Sequence, residues 1–127
     1  MQILLVSLFG AIGVTGRFLV DRHFATSMVS DFPYATFGIN CIGSFAIGLV
    51  SVLGAEQGVI SKEVAIILAV GLLGGFTTFS AFSMQTFQLV ERGHYGIAAT
   101  YFVGSPVIGL ISAIGGVYLA RTVLGYQ

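Results

Sequence analysis

Gly74-Gly75-Phe76-Thr77-Thr78-Phe79-Ser80-Ala81-Phe82-Ser83 interrupts a long uncharged run, Val64 to Val90. The run is long enough to cross a bilayer, which takes about 20 apolar residues. A spanning helix is ordinarily aliphatic at its centre, whereas this one holds adjacent glycines, adjacent threonines and two serines. Glycine frees the backbone, β-branched threonine crowds a helix, and hydroxyls compete for backbone hydrogen bonds. A helix weakened there leaves carbonyl and N–H groups unpaired. In lipid, such groups must be buried in protein or line a polar cavity. A tight helix crossing, with hydroxyls bonded back to the preceding turn, accounts for the same residues. Phe79 and Phe82, at helical spacing, weigh toward a site.

Working outward, the whole chain has the composition of a membrane protein. Of its 127 residues, 56% are hydrophobic and 8% charged, against about a quarter charged in a soluble domain. Five basic residues balance five acidic ones, so nothing points to a nucleic-acid partner. The single cysteine, Cys41, has no internal disulfide partner. The first hydrophobic segment lacks the basic region and cleavage site of a secretory leader and reads as a retained span.

Clusters of charge separate four expected spans, at about residues 3–20, 32–55, 64–90 and 95–120. Short connectors join them and leave no room for a soluble domain, so residues 1–127 form one transmembrane unit. As straight helix the third span would reach roughly 40 Å, which sets its glycine–threonine centre near the membrane midplane. The expected fold is therefore an all-α membrane protein whose third helix is broken near that midplane. Small residues four apart, Ser44 and Gly48, Ser105 and Gly109, Ser112 and Gly116, mark close helix crossings. Gly10 and Gly13 serve similarly in the first span. Pro106 should kink the fourth helix, because it removes a backbone donor.

The connectors carry almost no orientation signal. Arg17, Arg22 and Arg92 fall on one side, Lys62, Arg121 and the α-amine on the other. Lys and Arg bias normally sets topology. A chain without it can insert both ways, and two opposed copies would pair as an inverted repeat made of two chains. An antiparallel, dual-topology homodimer is the expected assembly.

Polar groups inside a span are functional candidates because lipid makes them costly. Arg17 either snorkels to the headgroups or attracts an anion to a vestibule. Asn40 either clamps a neighbouring helix or donates to an anion. Gln85 shares a helix face with Phe82. Tyr101, Ser105 and Ser112 recur along the fourth span and either line a path or bond back to helix carbonyls. We expect no carboxylate within a span and place His23 and His94 in connectors, without metal-ligand spacing. No catalytic constellation is present, so an enzyme is not expected. Amide and hydroxyl donors suit an anion, as do the positive edges of phenylalanine rings. Carbonyls freed near Thr77 would suit a hard cation such as Na⁺. The residues themselves point to a small-ion pathway without naming the ion.

The run from Gly74 to Ser83 closely resembles the GGxSTFSTFS-type signature of the Fluc/CrcB fluoride channel family. Gly13 to Arg17, in a GxxxR arrangement, and Gly38-Ile39-Asn40 resemble its first- and second-span motifs. The resemblance covers the whole chain in length, span count and motif order. It implies a dual-topology antiparallel dimer that conducts F⁻ passively across the bacterial inner membrane, protecting the cell from fluoride. It also implies a structural Na⁺ on the two-fold axis, held by the backbone carbonyls of Gly74 and Thr77. Phe79 and Phe82 would line the pores with Asn40, and Arg17 would face the vestibule. Two departures stand out. Well-known relatives carry a glutamate where this chain has Gln85, and Pro106 and Leu110 interrupt the fourth-span track of Tyr101, Ser105 and Ser112.

Two other functions compete. A small proton-coupled multidrug exporter would share the size and dual topology but needs a buried carboxylate in the first span, and Ile3 to Gly16 contains none. A non-transporting scaffold subunit would share the packing glycines but gives no reason for Asn40 or for the polar centre of the third span.

Overall fold

Helix is the only regular structure among the described residues, 1–27 and 31–125 of the computed structural model. Four helical stretches are long and apolar enough to cross a membrane: Gln2–Ala25, Tyr34–Glu56, Lys62–Glu91 and Tyr95–Val123. The first helix, α1, runs Gln2–Ser27 and so passes the expected end at Val20. No glycine or proline follows Gly16 until Pro33, so nothing in the backbone stops it at the first charge. Asp21, Arg22 and His23 therefore lie on a helix and not in a connector, and Asp21 falls within the first candidate span. The expectation of carboxylate-free spans is corrected to that extent.

The second helix, α2, is Tyr34–Ser51, entered through Pro33 and continued by a π-helical turn, Val52–Glu56. Ser61 starts α3, Lys62–Ile66, its hydroxyl accepting the Val64 N–H at 3.3 Å. Glu63 in that first turn complements the positive end of the helix dipole. A second π-helical stretch, Ile67–Leu73, leads into a single turn, α4, Gly74–Phe76. Thr77 (φ −80, ψ 160) and Thr78 (φ −152, ψ 124) are extended. Helix resumes as α5, Phe79–Glu91, capped by the Thr78 hydroxyl, which accepts the Ala81 N–H at 3.2 Å.

The turn out of α5 is fixed by backbone geometry. Gly93 has φ +79, a left-handed conformation open to glycine at little cost. Its N–H donates to Val90 at 3.0 Å and that of His94 to Leu89 at 2.9 Å, the double closure of a Schellman stop. The last helix, α6, Tyr95–Val123, continues on both sides of Pro106.

Glycines set how the helices cross. A methyl group on Gly13 of α1 would collide with the backbone at Leu72 and Phe76, and one on Gly75 with the backbone of Gly10. A methyl on Gly48 of α2 would strike the Ala113 carbonyl, and one on Gly116 of α6 the Phe45 carbonyl. Lipid tails are as apolar as leucine, so association in a membrane depends on such close backbone approach. A small core of Phe82, Leu89, Ala98 and Tyr101 ties α5 to α6. Two polar side-chain contacts close the ends. His94 meets Asp31 at 3.8 Å, and Arg121 forks onto Glu56 at 2.9 and 2.6 Å. They put the first and third connectors at one end and the second connector and C-terminal region at the other.

Gly116→Val should destabilise the fold by about 1–3 kcal/mol, as overpacking does. Thermal denaturation of the purified protein in detergent, against an exposed control such as Gly96→Val, measures this. Equal melting temperatures would show that the α2–α6 crossing does not need the glycine.

Candidate functional site

The extended pair Thr77–Thr78 needs partners that a helix would have supplied, and Asn40 supplies them. Its Nδ2 donates to the Thr78 carbonyl at 3.0 Å, and its Oδ1 accepts the Thr78 N–H at 2.9 Å. The side chain of α2 thus replaces the missing helical bonds of the third span. Buried backbone groups left unpaired cost about 1–3 kcal/mol each, so this amide bears directly on the shape of the segment. Thr77 bonds locally, its N–H and its hydroxyl both donating to Leu73 at 2.9 Å.

These bonds free two carbonyls. The Thr78 N–H goes to Asn40 and not back to Gly74, and the Ala81 N–H goes to the Thr78 hydroxyl and not to Thr77. Neither Gly74 nor Thr77 then receives its helical i+4 donor. Both residues line one open cavity of ≈ 280 Å³ with Asn40, Gly43, Ser44 and Phe79. Backbone carbonyls without donors are hard oxygen ligands of the kind that suit an alkali cation. The local chemistry therefore fits a cation held by main-chain oxygen.

A second cavity, of ≈ 320 Å³, lies on the other side of Asn40, Ser44 and Phe79. Its wall adds Phe82, Ser105, Pro106, Gly109 and Leu110. Phe79 and Phe82 face each other with ring centroids 5.7 Å apart, yet differ sharply in burial: Phe79 is 79% exposed and Phe82 5%. The Ser105 hydroxyl is buried and has no hydrogen-bond partner among the described residues. Such a group ordinarily has a partner, and Ser105 is among the residues lining this cavity.

One turn further along both helices, Gln85 of α5 meets Tyr101 of α6. The Tyr101 hydroxyl donates to Gln85 Oε1 at 2.8 Å, and Gln85 Nε2 donates to the Thr36 hydroxyl at 2.9 Å. Tyr101 and Thr36 are both fully buried. Aromatic contacts continue this layer in two directions. Tyr101 packs against Phe82 at 5.1 Å and edge-on against Phe32 at 5.4 Å.

The expected residues thus fall into connected groups. Asn40, Gly74, Thr77 and Phe79 share one cavity; Asn40, Phe79, Phe82 and Ser105 share the next; Gln85 and Tyr101 bond directly. Two stand apart. Ser112 lines neither of these two cavities. Arg17 is half-buried on α1, one turn before Asp21, which lines a further cavity with Gln85. Thr36 was not singled out from the sequence, Ser44 was read only as a packing residue, and Thr78 only as part of the polar centre of the third span. Thr36 could have been found, because it lies four residues before Asn40 and shares its helix face.

Four apolar spans around two cavities without charged residues define a multi-pass α-helical membrane protein of the channel or transporter class. The chain belongs to the family described as CrcB-like protein, Camphor Resistance (CrcB), whose model matches residues 4–117. A relative from Methylobacillus flagellatus, named fluoride-specific ion channel FluC, is 46% identical over 114 residues, 87% of each chain. One of the same name from Nitrobacter winogradskyi is 40% identical over 121 residues, 95% of this chain and 96% of the other. A Caulobacter vibrioides relative, also so named, is 37% identical over 123 residues, 96% of this chain and 97% of its own.

Asn40→Leu should strip both bonds from Thr78 and lower stability by about 2–6 kcal/mol, from two orphaned backbone groups. Asn40→Asp should keep the acceptor for the Thr78 N–H and lose only the donor. Hydrogen exchange at the Thr78 amide should be fast in the first variant and still protected in the second. Equal protection in both would assign that amide another partner.

Proposed function

We propose that this protein is a fluoride-selective channel that lets F⁻ leave the cell passively through the bacterial inner membrane. The names of its relatives favour this over the exporter and scaffold readings. Within the molecule, the observation that carries it is the free Ser105 hydroxyl in a cavity walled by Phe79, Phe82 and Asn40. Fluoride is small and strongly hydrated, so a path for it must replace water with donors. A hydroxyl hydrogen and the positive edges of phenylalanine rings are such donors. They carry no net charge, so they can bind an anion weakly enough for it to leave, as conduction requires.

The mechanism follows from the order of layers. An ion reaching Gln85 and Tyr101 would meet an amide that keeps one N–H beyond its bond to Thr36. The next turn offers the Ser105 hydroxyl and the Phe82 ring, and Phe79 and Asn40 lie beyond. No group in this sequence needs to gain or lose a proton, so transport is uncoupled and driven by the fluoride gradient. Catalysis has no part in it.

The functional unit in this reading is an antiparallel homodimer, dual in topology. A second copy would cover the exposed Phe79 and close the open cavity beside Thr77. The break in the third span then sits near the midplane, where a two-fold axis would bring two sets of Gly74 and Thr77 carbonyls together. Those carbonyls would hold a structural Na⁺, which supplies positive charge between the two pathways. The ligands are main-chain atoms, so Thr77→Ala would leave them in place.

Liposomes containing the purified protein should release loaded fluoride rapidly and retain chloride. Replacing both Phe79 and Phe82 with isoleucine should abolish fluoride release in a protein that still assembles. Chloride release at a comparable rate, or unaltered fluoride flux in the double variant, would defeat the reading.

Sodium dependence is a separate test. The melting temperature of the dimer should rise with the logarithm of Na⁺ concentration, as for any ligand bound to the native state alone. N-methylglucamine should not substitute, and a flat response to Na⁺ would remove the ion from the account.

A further inference from the structure

Phe32 separates two cavities at the end formed by the first and third connectors. One is lined by Asp21, Phe24, Tyr34 and Gln85. The other, of ≈ 160 Å³, is lined by Asp31, Gln85, Gln88 and Arg92, with Phe32, Pro33 and Leu89 completing it. Both open onto Gln85, the outermost of the bonded polar layers. The second cavity matters because of what its groups are doing. Among the described residues, the Arg92 guanidinium and the Gln88 amide have no hydrogen-bond or ion-pair partner. Asp31 does have one, His94, at 3.8 Å. Arg92 is held at this place by the turn itself, since it caps α5 immediately before the left-handed Gly93.

We infer that Arg92, with the amides of Gln88 and Gln85, forms a recruitment site for small inorganic anions at the mouth of the pathway, with Asp31 as its opposing charge. The inference rests on the channel reading and adds to it the residue that draws the ion in. An unpaired guanidinium in a concave polar site raises the local concentration of anions. The Gln88 and Gln85 N–H groups continue the donors inward from it. Asp31 lines the same cavity and opposes this attraction. The other fixed charges on this side are Glu91, next to Arg92 in the chain, Asp21, in the adjoining cavity, Arg22 beside it and Arg17, one turn before Asp21.

The action is through the field, so ionic strength tests it. Screening reaches only about 3 Å at 1 M salt but about 30 Å at 0.01 M. Fluoride currents through the full protein in planar bilayers should be recorded at both concentrations of NaF. Arg92→Gln should lower conductance about two- to threefold at 0.01 M and leave it unaltered at 1 M, where the charge is screened. Arg92→Lys should keep the wild-type value at both. Asp31→Asn should raise conductance at the lower concentration alone. Two results would overturn the inference: Arg92→Gln conducting like wild type at 0.01 M, or a loss that persists undiminished at 1 M. The second would mean that Arg92 shapes the mouth and does not attract the ion. A wild-type protein that carries no fluoride would remove the channel reading and this inference with it.

Discussion

The structure of the third span depends on two hydrogen bonds between the Asn40 amide and the backbone of Thr78. A chain can leave helical geometry inside a membrane only where other protein groups satisfy its peptide units. An asparagine side chain carries the donor and the acceptor of a peptide bond and can stand in for one. Other features follow from that substitution. Thr78 is free to be extended, and its hydroxyl then caps α5 through Ala81. Gly74 and Thr77 lose their helical donors beside a cavity. The start of α5 is fixed, and with it the directions of Phe79 and Phe82. Gly43 belongs to the same device, because a methyl group there would displace the Thr77 side chain.

From that origin α5 runs antiparallel to α6, and the facing residues form layers. Leu89 and Ala98 share the buried cluster, Gln85 bonds to Tyr101, and Phe82 shares a cavity wall with Ser105. Polarity therefore changes along the pair from apolar, to amide with phenol, to hydroxyl with aromatic ring. Charged groups are confined to the ends. A formal charge at this depth would bind an oppositely charged ion tightly or repel a like one. Neutral donors allow both arrival and departure, which is the condition the proposed channel must meet.

Composition and charge spacing made the four helices legible, because their signals are long and additive. The end of α1 was not legible. The polar cluster Asp21-Arg22-His23 looks like a connector, but it contains no glycine or proline to break the helix there. At the site, the sequence singled out Asn40 and left clamp and anion donor as alternatives. Its partner, Thr78, is 38 residues away, and no local pattern encodes such a distance. Gln85 with Tyr101 was visible only as separate periodicities, while Thr36 was overlooked because a threonine within a helix ordinarily bonds to its own backbone. The spacing of Ser112 from Ser105 fixes a shared helix face, which is not the same as a shared cavity wall.

A single copy exposes much apolar surface, including Phe79 and a long face of α6. In water that exposure would itself argue for a partner. In lipid it does not, because acyl chains cover apolar side chains at no cost. The argument for a partner has to come from polar groups instead. The open cavity beside Thr77 is lined by Asn40, Ser44, Gly74, Thr77 and Thr78 among others. Lipid tails have nothing to offer such a surface. Ions, water or a second polar surface must occupy it, and a second copy of the chain in the opposite orientation would bring an equal set of carbonyls to the same place. The weak Lys and Arg asymmetry of the connectors permits that orientation. In the proposed dimer, closing this open cavity would be the physical reason for it.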